Sequence, residues 1–368
     1  MNIVHLELGR YRYGGAEQVR YLLEQLAQSD AGAAHTLVTA RGSDLHQWAK
    51  DVGQRVIALR FSGEHDLAMV ARLIRVLRNE RARLLHVHSR RGADWMGPLA
   101  AWRAGIPALL SRRVDHVPGR WLRWLMRHRY QRTVAISQTI HDVLAASAVP
   151  EESLMTIQSA VDVEALAAID RDHAHQRLSD ILGQTTTGPV IGVVAQLIER
   201  KGHRFLFEAL PALVQRHPDL RVVCFGQGGL ERELRTQVTQ GGLSRYVRFA
   251  GFLPDLDTVL PALTLVVHPA LREGLGVSLL KAAAVGVPVI GFRAGGVAEV
   301  VVHEHTGLLV EPGSVPALTA SIAHLLENDA QRLRFSDNAR QHALQHFGVA
   351  EMVARHRALY DVLKQESV

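Results

Sequence analysis

The chain has 368 residues, enough for about two domains of roughly 150 residues each. Hydrophobic residues at 47% and charged residues at 21% exclude disorder as the main state. The single cysteine, Cys224, excludes an intrachain disulfide and a Cys-rich zinc module, and 5% aromatic residues weigh against a platform for stacking nucleic-acid bases. The net charge of +6 is uneven: residues 1–168 hold 22 Lys+Arg against 16 Asp+Glu, and the remainder holds 20 of each. The N-terminal half therefore carries the whole excess. A solvated basic face explains it, and so does an anionic partner: a membrane surface, a phosphorylated substrate or nucleic acid.

In chain order, Ile3–Leu8 reads as a strand, with Glu7 inside it, and not as a secretory leader. Ala16–Gln28 reads as a helix with Val19, Leu22, Leu23 and Leu26 on one face. Thr36–Thr39 and Val56–Leu59 are strands. Asp66–Asn79 is a helix with the stripe Leu67, Val70, Leu73, Ile74 and Leu77, and Asp66 is placed to cap it. Leu84–His88, Ala108–Leu110 and Thr133–Ile136 are strands. Asp170–Gly188 is polar and reads as a loop. Beyond it the alternation restarts: strands at Val190–Ala195, Leu220–Phe225, Val247–Phe249, Leu263–His268, Pro288–Gly291 and Gly307–Val310, and helices at His203–Arg216, Leu230–Gln240, Val277–Val285 and Val315–Asn328. Strands alternating with helices imply parallel sheets, here in two α/β domains with ligands at the carboxyl ends of the strands. No stretch approaches 18 apolar residues, so a cytoplasmic chain is expected, with peripheral contact at the inner face of the membrane open to it.

Several turns carry chemistry. Gly14-Gly15-Ala16-Glu17 opens the first helix, where free N–H groups suit a phosphate; a plain strand–helix turn reads equally well. Gly226-Gln227-Gly228-Gly229 ends a strand but lacks the third glycine of a dinucleotide fingerprint, because Glu231 stands there. NAD is thus disfavoured. Arg200 and Lys201 are adjacent cations at a helix start, a poor electrostatic placement unless an anion binds; solvated charges are the plain alternative. The most specific stretch is His268–Gly291. There a Glu273-Gly274-Leu275-Gly276 loop joins a strand to a helix, presenting a carboxylate for sugar hydroxyls and backbone N–H groups for phosphate oxygens. His86 and His88 alternate on a strand and His303 and His305 flank a turn, each pair without an evident third metal ligand.

Together these motifs resemble the retaining glycosyltransferases of family 4, which have the GT-B fold. The resemblance covers essentially the whole chain. It rests on the Gly-Gly-Ala-Glu turn, Lys201-Gly202, Gly226-Gln227-Gly228, Gly251-Phe252, the Glu-Gly-x-Gly loop, Gly286-Val287-Pro288-Val289-Ile290, Ala294-Gly295-Gly296 with Glu299, and Thr306-Gly307-Leu308-Leu309-Val310. It implies two Rossmann-like parallel-sheet domains facing each other across a cleft. Residues 1–165 would bind the acceptor, 166–345 the nucleotide-sugar, and 346–368 would form a helix crossing back to the first domain.

The resemblance also implies roles. Lys201 with Arg200 would neutralise the diphosphate leaving group, and Glu273 would contact the donor sugar. Gly274, Leu275, Gly276, Val277 and Ser278 would line the donor site. Gly14 and Gly15 would approach the diphosphate; Gln196, Gly226, Gly251 and Phe252 would complete the donor set. His116 would lie near the reacting sugar. No metal and no other cofactor is expected. Two positions depart from the pattern. Lys281 stands where the family's second motif glutamate binds the ribose, and Gln196 replaces an arginine.

The expected reaction is a retaining, metal-independent transfer of a hexosyl or related sugar to a lipid-linked or cell-envelope acceptor of lipopolysaccharide type. A GT-B epimerase or phosphorylase, or a non-catalytic subunit that binds nucleotide-sugars, is the alternative. Residues 112–132 hold seven arginines against one acid, Asp115. Trp121, Trp124, Leu125 and His128 fall at helical spacing among Arg120, Arg123 and Arg127. An anionic membrane surface, or phosphates on the acceptor, would meet that segment; a core helix with solvated arginines is the plain alternative, and no nucleic-acid partner is expected.

Overall fold

A computed structural model describes residues 1–11, 14–29, 34–90, 92–185 and 187–366. The chain divides into two compact units, Met1–Ser159 with Val349–Val368, and Ala160–Gly348.

In the first unit the strands are β1 (Ile3–Glu7), β2 (His35–Ala40), β3 (Val56–Leu59), β4 (Leu84–Val87), β5 (Ala108–Arg112), β6 (Arg132–Ala135) and β7 (Leu154–Thr156). Their order is β3-β2-β1-β4-β5-β6-β7, and every pairing is parallel. β1 and β4 are buried along their whole length, as strands covered on both faces must be. The helix Gly14–Ser29 turns Val19, Leu22, Leu23 and Leu26 inward, each at most 1% exposed. The helix Val349–Glu366 packs on it, with Met352, Val353, Leu359 and Leu363 buried.

The second unit repeats the design. β8 (Val190–Val194), β9 (Arg221–Phe225), β10 (Val247–Gly251), β11 (Leu265–His268), β12 (Val289–Phe292) and β13 (Gly307–Val310) form a parallel sheet in the order β10-β9-β8-β11-β12-β13. Its core joins Val193, Val222, Leu265, Val267 and Ile290 of the sheet to Leu206, Leu210 and Leu213 of the helix His203–Arg216 and to Leu318 and Ile322 of Val315–Glu327. Both units are Rossmann-like, doubly wound sheets. In each the strand order reverses beside its first strand, between β1 and β4 and between β8 and β11, which is where such sheets place ligands.

Three expectations need correction. Arg171–Leu182 is a helix, capped by Asp170, where the polar sequence suggested a loop; only Ala174 and Leu178 are buried, too few for a visible stripe. The helix Leu67–Asn79 buries Met69, Leu73, Val76 and Leu77, while Leu67 is 71% exposed, so the apolar face is rotated from the predicted stripe. Asp66 gives its N-terminus no side-chain cap, because its carboxylate is taken by Arg72 and by the Ser62 N–H.

Candidate active site

The loops after β8 and β11 meet at the reversal point of the second sheet. A turn at Glu199–Lys201 ends at Gly202, whose φ of 67° is left-handed; a Cβ there would lie 1.9 Å from the Pro269 carbonyl oxygen. Only glycine lets the two loops come so close. The Leu271 N–H then donates to the Arg200 carbonyl at 2.8 Å, and the Gly296 N–H donates to the Glu273 carbonyl at 3.0 Å. Fixed from both sides, Glu273 receives the Lys201 ammonium on Oε2 in a short ion pair, with the two side chains only 10% and 12% exposed. His268 Nε2 reaches the same oxygen at 2.8 Å, and the Gly274 N–H reaches Oε1 at 3.2 Å.

Burial alone would push the Glu273 carboxyl up. The His268 hydrogen bond and the Lys201 charge outweigh it and hold the group well below the ordinary carboxylate range. Burial keeps His268 below the usual imidazole range despite Glu273. His203, at the start of the next helix, is pushed down to about 4 by burial, with His268 and Lys201 adding to it, and neither of its ring nitrogens has a partner. The site thus holds a carboxylate beside neutral imidazoles across physiological pH, with the Lys201 side chain paired to it. The ammonium suits a phosphate oxygen, and the carboxylate accepts from hydroxyls.

Of the remaining candidates in this unit, Gly274, Leu275 and Gly276 are buried beside Glu273, and Gly276 (φ 94°) leads into the helix Val277–Ala284. Ser278 Oγ donates to the Val194 carbonyl at 3.1 Å, tying that helix to the end of β8. Arg200 is exposed, with Nη1 on the Arg272 carbonyl at 3.2 Å, and Gln196 is exposed on the loop after β8. Gly226 ends β9, where a Cβ would sit 2.0 Å from the Ala195 carbonyl oxygen; its neighbour Gly228 lies as tightly on Leu197, so packing alone requires both glycines. Gly251 and exposed Phe252 close β10. Lys281 lies a turn into its helix and binds both carboxylate oxygens of Asp257, at 2.9 and 2.8 Å. Asp255, two residues before Asp257, is paired with Arg177.

In the first unit, Gly14 and Gly15 open the helix Gly14–Ser29, and Arg113 Cδ lies 3.3 Å from where a Gly15 Cβ would be. His116 follows β5, and its carbonyl accepts from Arg112 Nη2 at 3.1 Å. The helix Arg120–His128 exposes Trp121 and Trp124, stacked with ring centroids 5.1 Å apart, and His128 lies 5.2 Å further on. Leu125 departs from expectation: it is fully buried with Met126, on the inward side. The Arg129 guanidinium lies over Trp124 and over exposed Trp102, which widens the aromatic patch beyond the one helix.

Sequence reasoning missed three features. His268 stands in the sequence only as part of a motif, and nothing there marks Asp257 as the partner of Lys281. His86 and His88 do have a third imidazole nearby: in-register pairing sets His5 beside His86, and one ligand atom from each of the three falls within 4.8 Å of the others. Five of their six ring nitrogens are engaged in a hydrogen-bonded network, and His88 Nδ1 has no partner. His5 bridges His88 (3.0 Å) and His35 (3.1 Å), while His86 bridges Tyr360 (2.7 Å) and Ser111 (2.8 Å). The alternation of His86 and His88 was a visible signal; their cross-strand neighbour was not.

The two doubly wound sheets, each with its own reversal point, define a protein of GT-B architecture. Comparison with known families agrees: residues 13–165 match Glycosyltransferase Family 4, and residues 175–342 match Glycosyl transferases group 1. Each half of the chain is thus similar to a glycosyltransferase family, on a GT-B fold. A D-inositol 3-phosphate glycosyltransferase of Corynebacterium urealyticum is 33% identical over 181 residues, 47% of this chain and 43% of the relative. A 2-deoxystreptamine glucosyltransferase of Streptomyces kanamyceticus is 26% identical over 304 residues, covering 77% of this chain and 78% of the relative. The first of these matches therefore spans less than half of the relative's length. Among solved structures, Anabaena Alr3699/HepE in complex with UDP and glucose superposes with a TM-score of 0.86 at 20% identity, over 98% of this chain and 100% of the other.

Proposed function

We propose that the protein transfers a sugar, with retention at the anomeric carbon, from a nucleotide-sugar to a lipid-linked or cell-envelope glycan acceptor, without a metal ion. The buried Lys201–Glu273 pair at the reversal point of the second sheet carries this reading. A diphosphate leaving group needs a cation at hand, and a donor sugar needs an acceptor for its hydroxyls; the pair provides both. Arg200 adds charge at the rim. Residues 166–345 would hold the donor and residues 1–165 the acceptor. The structure of Alr3699/HepE with UDP and glucose, and the phosphorylated polyol in the name of the corynebacterial relative, support a nucleotide-sugar donor and an anionic acceptor. The test is thermal stabilisation by UDP-, GDP- and ADP-sugars, followed by turnover. Binding without sugar transfer or donor hydrolysis would replace the enzyme by a nucleotide-sugar-binding subunit.

Lys281 bears on nucleotide choice. With Asp257 on its ammonium, the ribose position would offer a carboxylate from a different part of the chain. Lys281→Glu alone would set two carboxylates together and is expected to weaken nucleotide binding. Combining it with Asp257→Lys inverts the pair and is expected to recover binding. Calorimetry with the preferred nucleoside diphosphate measures both. Equal dissociation constants for wild type and the single variant would place position 281 outside the site.

Among the described residues no helix is long and apolar enough to cross a membrane. We place the protein at the cytoplasmic face of an anionic membrane, docked through the helix Arg120–His128. Tryptophans favour the headgroup level, and arginines beside them meet lipid phosphates. Each nearby cation adds about 1 kcal/mol on anionic lipid. Reversing Arg120, Arg123 and Arg127 to Glu is therefore expected to lower binding to anionic vesicles by at least about two orders of magnitude. Liposome flotation checks this. Equal binding to neutral vesicles, or none to anionic ones, removes the membrane and leaves acceptor phosphates as the arginines' partner.

A further inference from the structure

Glu273 Oε2 has two partners, Lys201 Nζ and His268 Nε2, whereas Oε1 has only the Gly274 N–H at 3.2 Å. The proposed reaction asks Lys201 to bind a diphosphate, which carries more negative charge than one carboxylate. An ammonium shared with the diphosphate holds Glu273 less strongly. A buried carboxylate stripped of its cation is costly and free to turn away from the sugar.

We propose that His268 is a positioning residue: its Nε2–H holds the Glu273 carboxylate in place while Lys201 exchanges that carboxylate for the donor's diphosphate. The inference rests on the donor-site reading above. His268 ends β11, is fully buried, and stands 2.8 Å from its acceptor, so backbone and packing fix the donor before substrate arrives. Glu273 accepts, so Nε2 carries the proton and Nδ1 does not; Nδ1 has no hydrogen-bond partner and makes no competing demand on the ring. The charged and titratable groups around the imidazole are Glu273, Lys201 and Arg200, with His203 behind it. None is placed to replace its hydrogen bond once Lys201 has moved.

The role shows when Lys201 is engaged by phosphate, so it is read in turnover. His268→Leu is expected to lower kcat by about 10- to 100-fold, the range for a lost hydrogen bond to a charged group, with the donor KM changed less than about threefold. His268→Gln keeps an amide donor within reach and is expected to restore most of the loss. His268→Asn, one methylene shorter, is not. Thermal melts of all three show that each folds; if His268→Leu does not, the Gln–Asn pair carries the comparison. Wild-type kcat in the Leu or Asn variant, or a Gln variant as slow as Asn, overturns the proposal. If the wild type neither binds UDP, GDP or ADP nor turns over their sugars, the donor-site reading fails and this one with it.

Discussion

Replacing Glu273 with Gln, or Lys201 with Met, is expected to lower turnover by at least about 10²-fold, the usual effect of losing one preorganised charge aimed at a transition state. Each single change also leaves the opposite charge buried and unpaired, because the two side chains are only 10% and 12% exposed. That costs on the order of 3–5 kcal/mol of stability. A drop in activity alone would therefore not separate chemistry from folding. The double variant does. It removes both charges together, so urea unfolding is expected to recover most of the lost stability, while turnover stays at the level of the single variants. A double variant that regains turnover along with stability would show that the pair only holds the two loops together.

Acidification is expected to unfold the first unit early. Burial, reinforced by neighbouring imidazoles, holds His5, His86 and His88 well below the ordinary histidine range, and burial takes His356 to about 4. In the unfolded chain these four groups take up protons as pH falls below about 6.5; in the folded unit they do not. The unfolded state then binds more protons, so stability falls with pH from about 6.5 towards the folded values. Each group contributes about 1.4 kcal/mol per pH unit once its unfolded form is protonated, up to about 5 kcal/mol per unit near pH 5.5 for the four together. A domain stable by about 5–15 kcal/mol would lose most of that within two to three units. All five tryptophans, at 48, 95, 102, 121 and 124, lie in this unit, so intrinsic fluorescence reports it without signal from the other. A urea midpoint that stays flat between pH 7 and pH 5 would contradict the prediction.

The motifs that define the site were legible because glycine leaves a strong trace. Gly202 and the Glu-Gly-x-Gly loop mark turns that only a close backbone approach requires, and Lys201 and Glu273 follow from them. What stayed hidden depends on distance through space. Lys281 stands in the sequence where the resemblance calls for a glutamate; the loop after β10 brings Asp257 to it, 24 residues away in the chain. His5 and His86 are 81 positions apart and become neighbours only through strand register. The glycines at 226 and 228 carry the Gly-x-Gly of the resemblance, and close packing against the backbone of 195–197 demands them as well. The helix Arg171–Leu182 was invisible for the opposite reason: a mostly solvated face carries no periodic signal.

The helix Val349–Glu366 belongs to the first unit although the whole second unit is encoded before it. Tyr360 hydrogen-bonds His86 and Glu366 reaches Gln131, so the first sheet is finished by a segment that follows the whole second unit. On the ribosome, residues 1–159 emerge before the second unit and must wait for its roughly 190 residues before their histidine layer is covered. The second unit is contiguous and has no such wait. The order of completion is therefore the reverse of the order of synthesis. Until that helix has been made, the nascent first unit exposes a polar, imidazole-lined surface where the helix will sit.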